Sequence, residues 1–598
     1  MLTLLQQACD RGDIRLLDLH IGLFLQQLAG KEKNQPHLLL AGTLASAAVG
    51  NGHVCQPLNQ VTELPLSIDP SLIPDPDSWR KTLLATPVVG QPGEETPLIL
   101  DEHNRLYLYR FYRHEEQIAR DLLTRATGIT EVDFQPAGKL LDQLFPTQNE
   151  TNYQQLAAAL ALLKPLLIIS GGPGTGKTHT VARILALMQS LNKKPLRIGL
   201  AAPTGKAATR LEESIRKAKQ SIPSEQAGTV PEQAQTLHRL LGYHPADDDF
   251  RYTTKNPLHL DLLVVDEASM IDVVLMAALV QALPAKTRLI LLGDRNQLAS
   301  VEAGSLFGDL CGIGEPAWSA QLCEHLRQLT GADQLPQATS TSAMADSVVL
   351  LRTSYRFQAK SGIGSLAAAV NNGSMSEVDG VLADDFPDLE VHSLTGTRRD
   401  NWLQEQIIQG FQAMVSASSV EKAFAAMEKF RFLCAVRKGP AGVEGINAMA
   451  EHVLRKAGLI EQDTGWYQGK PIIIRRNQYE MQLFNGDTGI LWNDQDGLLR
   501  AWFRRPDNSL YPVTPARLPD HDTAYAITIH KSQGSEFDQV LLLLPEEESR
   551  VLSRELVYTG ITRARSRLIL CSDRKILATA VRQRTRRYSG LAEKLWQC

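Results

Sequence analysis

Among 598 residues, the feature that most narrows the possible folds is a complete G-x-x-x-x-G-K-T run: Gly171-Gly172-Pro173-Gly174-Thr175-Gly176-Lys177-Thr178. An apolar stretch at 166–169 precedes it and helical spacing over 179–187 follows. Strand, glycine-rich turn and helix in that order make an anion nest, because glycines let backbone N–H groups turn inward at the positive end of a helix. The pattern predicts a triphosphate site, with Lys177 reaching the β- and γ-phosphates of ATP and Thr178 offering its hydroxyl to Mg²⁺. Such a loop sits at the carboxyl edge of a parallel α/β sheet, so other strands must follow.

They do. Val/Ile/Leu-rich runs at 166–169, 197–201, 262–265 and 288–292 read as strands buried on both faces. The run at 262–265 delivers Asp266 and Glu267 side by side. Asp266 is expected to hold Mg²⁺ and Glu267 to polarise the attacking water, which makes hydrolysis the expected reaction. The run at 288–292 leads into Gly293-Asp294-Arg295-Asn296-Gln297-Leu298, where Gln297 can hydrogen-bond a γ-phosphate and the attacking water.

A chain of this length exceeds one hydrophobic core, and at least three domains are expected. The 21% charged and 43% hydrophobic composition excludes a disordered or membrane protein. Net charge is −4, so nucleic acid has to be met by local basic grooves. No apolar run reaches the roughly 18 residues of a membrane span, and the acidic, uncharged-then-mixed start MLTLLQQACDRGD lacks a basic leader. A cytoplasmic location is expected. The seven cysteines, Cys598 among them, never form C-x-x-C, and Cys311, Cys323 and His325 lack a fourth ligand at finger spacing.

The expected organisation is an N-terminal, mainly helical docking module at 1–115, a first motor domain at 116–345 and a second at 346–598. In the first module, runs at 98–100 and 106–111 flank the polar turn Asp101-Glu102-His103-Asn104 and predict a hairpin. A small-residue stretch at 330–347 predicts a linker. Buried-strand runs return at 432–436, 526–529, 540–544 and 567–571, and residues 470–520, with Asn485-Gly486 and Asp494-Gln495-Asp496-Gly497 turns, predict a small β (SH3-like) insert. Pro387-Asp388-Leu389-Glu390-Val391-His392 has histidine where a nuclease of that pattern needs lysine, so a plain strand edge is expected.

A motor needs a second surface that closes on the triphosphate. Arg356, in Ser354-Tyr355-Arg356-Phe357, and Arg563, in Tyr558-Thr559-Gly560-Ile561-Thr562-Arg563-Ala564-Arg565, are candidate fingers for transition-state charge.

With these segments in order, together with Ala202-Pro203-Thr204-Gly205-Lys206-Ala207-Ala208, DEASM, GDRNQLASVEAG and AITIHKSQGSEFD, the chain resembles superfamily 1 DNA helicases. The GDRNQLASVEAG form lacks an aromatic just after the glutamine and is similar to the RecD branch, as are Gly52-His53-Val54-Cys55 and Phe484-Asn485-Gly486-Asp487. The resemblance implies two RecA-like motor domains in an α/β fold, and 5′-to-3′ movement. It also implies that Gln154 reads adenine and that Glu536 contacts the ribose. Thr204, Gly205, Lys206, Thr528, His530, Lys531 and Ser532 would then grip single-stranded DNA through its phosphates. RecB-like and RecC-like partners in a heterotrimer would follow, with nuclease chemistry on another chain. A stand-alone RecD-like helicase is the alternative. About 150 residues precede the loop, fewer than expected of the stand-alone form, and a non-translocating ATPase switch would not need the second domain's arginines.

Overall fold

The computed structural model describes residues 1–30, 35–63, 73–146, 151–245, 247–312, 314–338, 342–357, 361–393, 396–461, 465–505 and 508–596. Cys598, part of the linker stretch at 339–341 and part of the insert at 506–507 lie outside the described residues.

The first motor domain carries a six-stranded parallel sheet in the order Val348–Leu351, Leu166–Gly171, Arg288–Gly293, Leu262–Val265, Ile198–Ala202, Gln235–Thr236. Strand side chains alternate between two cores, as a period of two requires. Leu166, Ile168, Leu263, Val265, Leu289 and Leu291 face one layer of helices. Leu167, Ile169, Leu262, Val264, Ile290 and Leu292 face the other. Cys311 packs in the first of these cores and Cys323 in the second. The sequence places Val348 at the start of the second block; the structure corrects this, because Val348–Leu351 pairs in register with Leu166–Gly171 and closes the first sheet.

The second motor sheet is also parallel, ordered Leu389–His392, Ala564–Cys571, Phe537–Leu543, Phe430–Cys434, Ala526–Thr528. Its edge strand Leu389–His392 holds the Glu390 carboxylate between His392 (2.6 Å) and Arg567 (2.5 Å). Between strands of this domain, Pro471–Ile474, Thr488–Asn493, Leu499–Arg504, Leu510–Val513 and His521–Thr523 form a separate five-stranded antiparallel sheet with its own small core. Asp494 closes one of its hairpins by accepting from Asp496 N and Leu498 N, with Gly497 at φ +77°.

In the N-terminal module, helices Leu2–Asp10, Leu16–Ala29 and Gln35–Gly50 pack with a four-stranded sheet. The hairpin Leu98–Leu100 with Arg105–Leu108 is present. Its second strand stops at Leu108, not at Phe111, because Tyr112, Ile118, Ala119, Leu122 and Ala126 recur at helical spacing and draw Tyr109–Thr127 into a buried helix. That helix passes through the expected boundary at residue 115. Its Arg125 donates to the carbonyls of Leu283 (3.2 Å) and Pro284 (3.1 Å), which pins it to the first motor domain.

The tail crosses back. After the helix Arg574–Arg582, residues 587–596 leave the second domain: Val54 N donates to Tyr588 O (2.8 Å), Ser589 Oγ to the fully buried Glu115 (2.7 Å), and Trp596 Nε1 to Asp309 O (2.8 Å). The C-terminal residues therefore do not all belong with the second motor domain. Two RecA-like sheets, a helical N-terminal module and a β insert make up this α/β protein.

Candidate active site

The glycine-rich loop follows the strand Leu166–Gly171 and enters the helix Lys177–Leu191. Gly174 and Gly176 sit at φ +78° and +80°, in the left-handed region that side chains disfavour. No side chain caps the helix start and no acid stands in its first turn, so its N–H groups are left for an anion. Lys177 Nζ donates to Gly171 O (2.6 Å) and Gly172 O (3.2 Å), and Thr175 Oγ1 to Gly172 O (2.8 Å). Thr178 lies half-buried in the first turn. The second-domain approach is already made here, since Ser354 Oγ donates to Pro173 O (3.2 Å) and Tyr355 N to Gly174 O (2.8 Å). Gln154 lies in the first turn of the helix Tyr153–Leu163, capped by Asn152, and its Nε2 donates to Thr175 O (3.0 Å).

Asp266 and Glu267 leave the central strand Leu262–Val265 at the carboxyl edge facing this loop. Glu267 takes φ +52°, an uncommon left-handed conformation for a side-chain-bearing residue, and its N–H donates to Asp266 Oδ1 (2.8 Å). Burial and the neighbouring Glu267 charge push the Asp266 carboxyl up to about 6, with Lys177 and Arg210 opposing. The Thr178 hydroxyl and the Asp266 carboxylate offer oxygen donors, the kind that suit a hard divalent cation at the end of a phosphate loop.

Gln297 is where the domains meet. Its Nε2 donates to Asp294 Oδ2 (3.1 Å), and its Oε1 accepts from Arg563 Nη2 (2.7 Å) of the second domain. Tyr558 OH, five residues ahead of Arg563, also donates to Asp294 Oδ2 (2.9 Å) and stands against Gly172 of the loop. Asp294, Tyr558 and Arg563 are almost wholly buried. Burial pushes the Asp294 carboxyl up, against the pull of Lys177, and pushes the Arg563 guanidinium down.

Glu536 lies in a second cluster across the same cleft. It takes Arg356 Nη2 at 2.8 Å, Arg565 Nε at 3.3 Å, and Arg210, which comes from the first-domain helix Gly205–Lys219. Burial pushes this carboxyl up, but Arg210 and Arg356 outweigh it and hold it well below the usual carboxylate range. The expected ribose contact and the expected finger Arg356 are thus paired with each other.

The expected strand-binding residues fall at the carboxyl edges of both sheets. Thr204 caps the helix Gly205–Lys219 through Ala207 N (3.3 Å), and Gly205 lies against the Phe484 ring of the β insert. Burial and nearby Arg431 push the Lys206 ammonium down to about 8, while Asp487 of the insert opposes them. Thr528 Oγ1 accepts from Lys531 N (3.2 Å), and Lys531 Nζ stands 3.6 Å from Asp522. His530 is half-buried. Ser532 is fully buried with its hydroxyl donated to Ile529 O (2.6 Å), so it supports the turn from within.

Sequence reasoning missed Asp294, Tyr558 and Arg210. Asp294 and Tyr558 lie inside motifs that were singled out for Gln297 and Arg563. Arg210 had only one signal, its place one helical turn after Lys206.

Comparison with known proteins agrees along the chain. Residues 10–107 match the N-terminal domain of the RecBCD enzyme subunit RecD, residues 154–303 an AAA domain, and residues 523–571 a UvrD-like helicase C-terminal domain. The RecBCD enzyme subunit RecD of Haemophilus influenzae is 36% identical over 87% of this chain and 84% of its own length. That of Mycolicibacterium smegmatis is 35% identical over 97% of both chains. The ATP-dependent RecD2 DNA helicase of Deinococcus radiodurans is 29% identical over 84% of this chain but only 61% of its own length. An AAA-type domain carrying this loop binds nucleotide, and by the extent of these matches the chain belongs to the RecD family of RecBCD enzyme subunits.

Proposed function

We propose that this chain is the ATP-dependent 5′-to-3′ DNA helicase subunit of a RecBCD-type helicase and nuclease that processes double-strand DNA ends for recombinational repair. The observation that carries the reading is the Arg563–Gln297 hydrogen bond (2.7 Å), which puts a second-domain cation on the first-domain residue best placed to sense a γ-phosphate. A cleft completed from both sides opens and closes with hydrolysis, and that relative motion is what moves a strand.

In this reading the N–H groups of 171–176 and Lys177 bind the phosphates, and Glu267 orients the attacking water. Arg563 neutralises charge that develops in the transition state, and Arg356 joins it on release from Glu536. Mg²⁺, held by Thr178 and Asp266, would supply further neutralisation of phosphate charge. Gln154 meets the adenine and Glu536 the ribose once nucleotide displaces their present partners. Thr204, Gly205, Lys206, Thr528, His530 and Lys531 grip a single strand through its phosphates, independent of sequence. Among the described residues no helix is long and apolar enough to cross a membrane; the proposed work on DNA ends would place the chain in the cytoplasm.

Domain roles follow the same reading. Residues 1–115 dock RecB-like and RecC-like partners, the first motor domain reaches to about residue 351, and the second follows with the β insert. Support for docking comes from the helix Leu16–Ala29, which leaves Leu16, Leu17, Phe24 and Leu28 between 52% and 63% exposed on one small module. The test is twofold. The chain, alone or with its partners, should unwind duplexes bearing a 5′ single-stranded overhang; unwinding from 3′ overhangs only would overturn the polarity. Leu17→Glu/Phe24→Glu should release the chain from a co-purifying heterotrimer, and retention of the complex would overturn the docking role.

A further inference from the structure

Residues 582–587 read Arg582-Gln583-Arg584-Thr585-Arg586-Arg587, four arginines in six positions of a chain whose net charge is −4. No acid occurs between Asp573 and Glu593. Arg582, Arg584 and Arg586 are exposed, and Arg582 and Arg584 make no ion pair with an acid among the described residues. Like charges held together in this way repel, and a compensating anion lowers that cost.

The place of the segment is as unusual as its charge. At one end it is anchored to the helix Arg554–Ile561, which carries Tyr558: Arg554 N donates to Gln583 O (2.8 Å), and the Glu555 carboxylate accepts from Thr585 N (2.9 Å) and Oγ1 (3.0 Å), which leaves the Arg582 and Arg584 side chains outside that contact. At the other end Arg587 donates to Ser300 O (3.4 Å), in the loop that follows Gln297, and to Asn51 O (3.2 Å) of the N-terminal module. The six residues thus bridge the two motor domains. Arg587 also stands close enough to His530 for its charge to add to burial in pushing that ring's pKa down. Within one segment, then, the chain passes the loop 298–301 of the first domain and the turn His530–Ser532 of the second.

We propose that residues 582–587 form a DNA-backbone site, in which Arg582 and Arg584 contact phosphates of the single strand where it crosses from one motor domain to the other. The site rests on the helicase reading above and extends it to residues outside the helicase motifs. A strand spanning the two gripping edges carries one phosphate per nucleotide past the crossing, and guanidinium groups bind phosphate without reading bases. Arg582 and Arg584, which form no ion pair among the described residues, give none up to make these contacts, unlike Arg356 or Arg565, which are already paired with Glu536.

The test uses the full chain and a fluorescent oligothymidylate, with binding measured across a series of salt concentrations. Arg582→Ala/Arg584→Ala should weaken binding and lower the slope of log K against log salt by about 1.4, since each single-strand phosphate contact adds about 0.7. Arg582→Lys/Arg584→Lys should restore the slope, which separates charge from misfolding. Lys193→Ala/Lys194→Ala should leave it unchanged, because those exposed lysines follow the far end of the helix Lys177–Leu191, at the opposite edge of the sheet. A wild-type slope in the alanine pair, or a loss of affinity that lysine does not restore, overturns the site. Failure of the wild-type chain to bind the oligonucleotide would instead overturn the helicase reading itself.

Discussion

Arg563 Nη2 and Gln297 Oε1 lie 2.7 Å apart across the cleft between the two motor domains, both side chains nearly excluded from solvent. In the function proposed above, the bond joins the residue that would report on a γ-phosphate to the residue that would neutralise it. Each is the other's hydrogen-bond partner in the closed cleft, so their loss should be felt as a unit.

Arg563→Ala is expected to lower kcat for ATP by about 10³ or more while KM changes only a few-fold, because a finger acts on charge that develops late. Gln297→Ala should also fall, and the double variant should lose little beyond the worse single one. Steady-state kinetics of the four proteins decides this. Additive losses would mean that the two residues act independently.

Lys177→Gln should abolish hydrolysis and unwinding with the fold intact, since among the described residues Nζ donates only to the loop carbonyls of Gly171 and Gly172. Glu267→Gln should bind ATP and DNA and turn over slowly. Single-turnover hydrolysis at the wild-type rate in the glutamine variant would remove Glu267 from the role of water-orienting base.

Tyr558→Phe removes one of the donors to a buried carboxylate. Asp294 Oδ2 would keep Gln297 Nε2 but lose the phenol, at about 1–3 kcal/mol of stability. Denaturant unfolding checks the magnitude. A variant as stable as wild type would show that the phenol contributes nothing net to the closed cleft.

His53 gives the tail contact a pH dependence. Its ring stacks on Tyr588 at 4.6 Å, its Nδ1 accepts from Tyr588 N (3.0 Å), and burial, aided by Arg587, lowers its pKa to about 4. The folded value lies below the unfolded one, so the neutral ring's contribution is complete above about pH 6.5 and is lost as pH falls towards 4. On the order of 2 kcal/mol is at stake, after allowance for the ring's partial exposure. Hydrogen exchange at 588–596, corrected for intrinsic rate, should show protection falling over this window in wild type. His53→Gln should flatten the fall; an equal fall in that variant would assign the effect to another group.

Much of this protein could be read from its sequence because the decisive information was local. The loop at 171–178, the Asp266-Glu267 pair after a four-residue apolar strand, and Gln297 after the next strand each owe their position to a short segment whose residue types admit one backbone course. Strand runs buried on both faces announced two parallel sheets for the same reason. What neighbours do across long separations was not local, and only the tertiary structure decided it. Whether Val348–Leu351 closes the first sheet or opens the second depends on a pairing with residues some 180 positions away. Arg356 and Glu536, each assigned separately to the nucleotide, proved to be partners of one another, with Arg210 from the opposite domain. The tail's return to Glu115 and His53 likewise had no sequence signal, since a buried glutamate and a stacked histidine acquire their partners only when three domains are packed together.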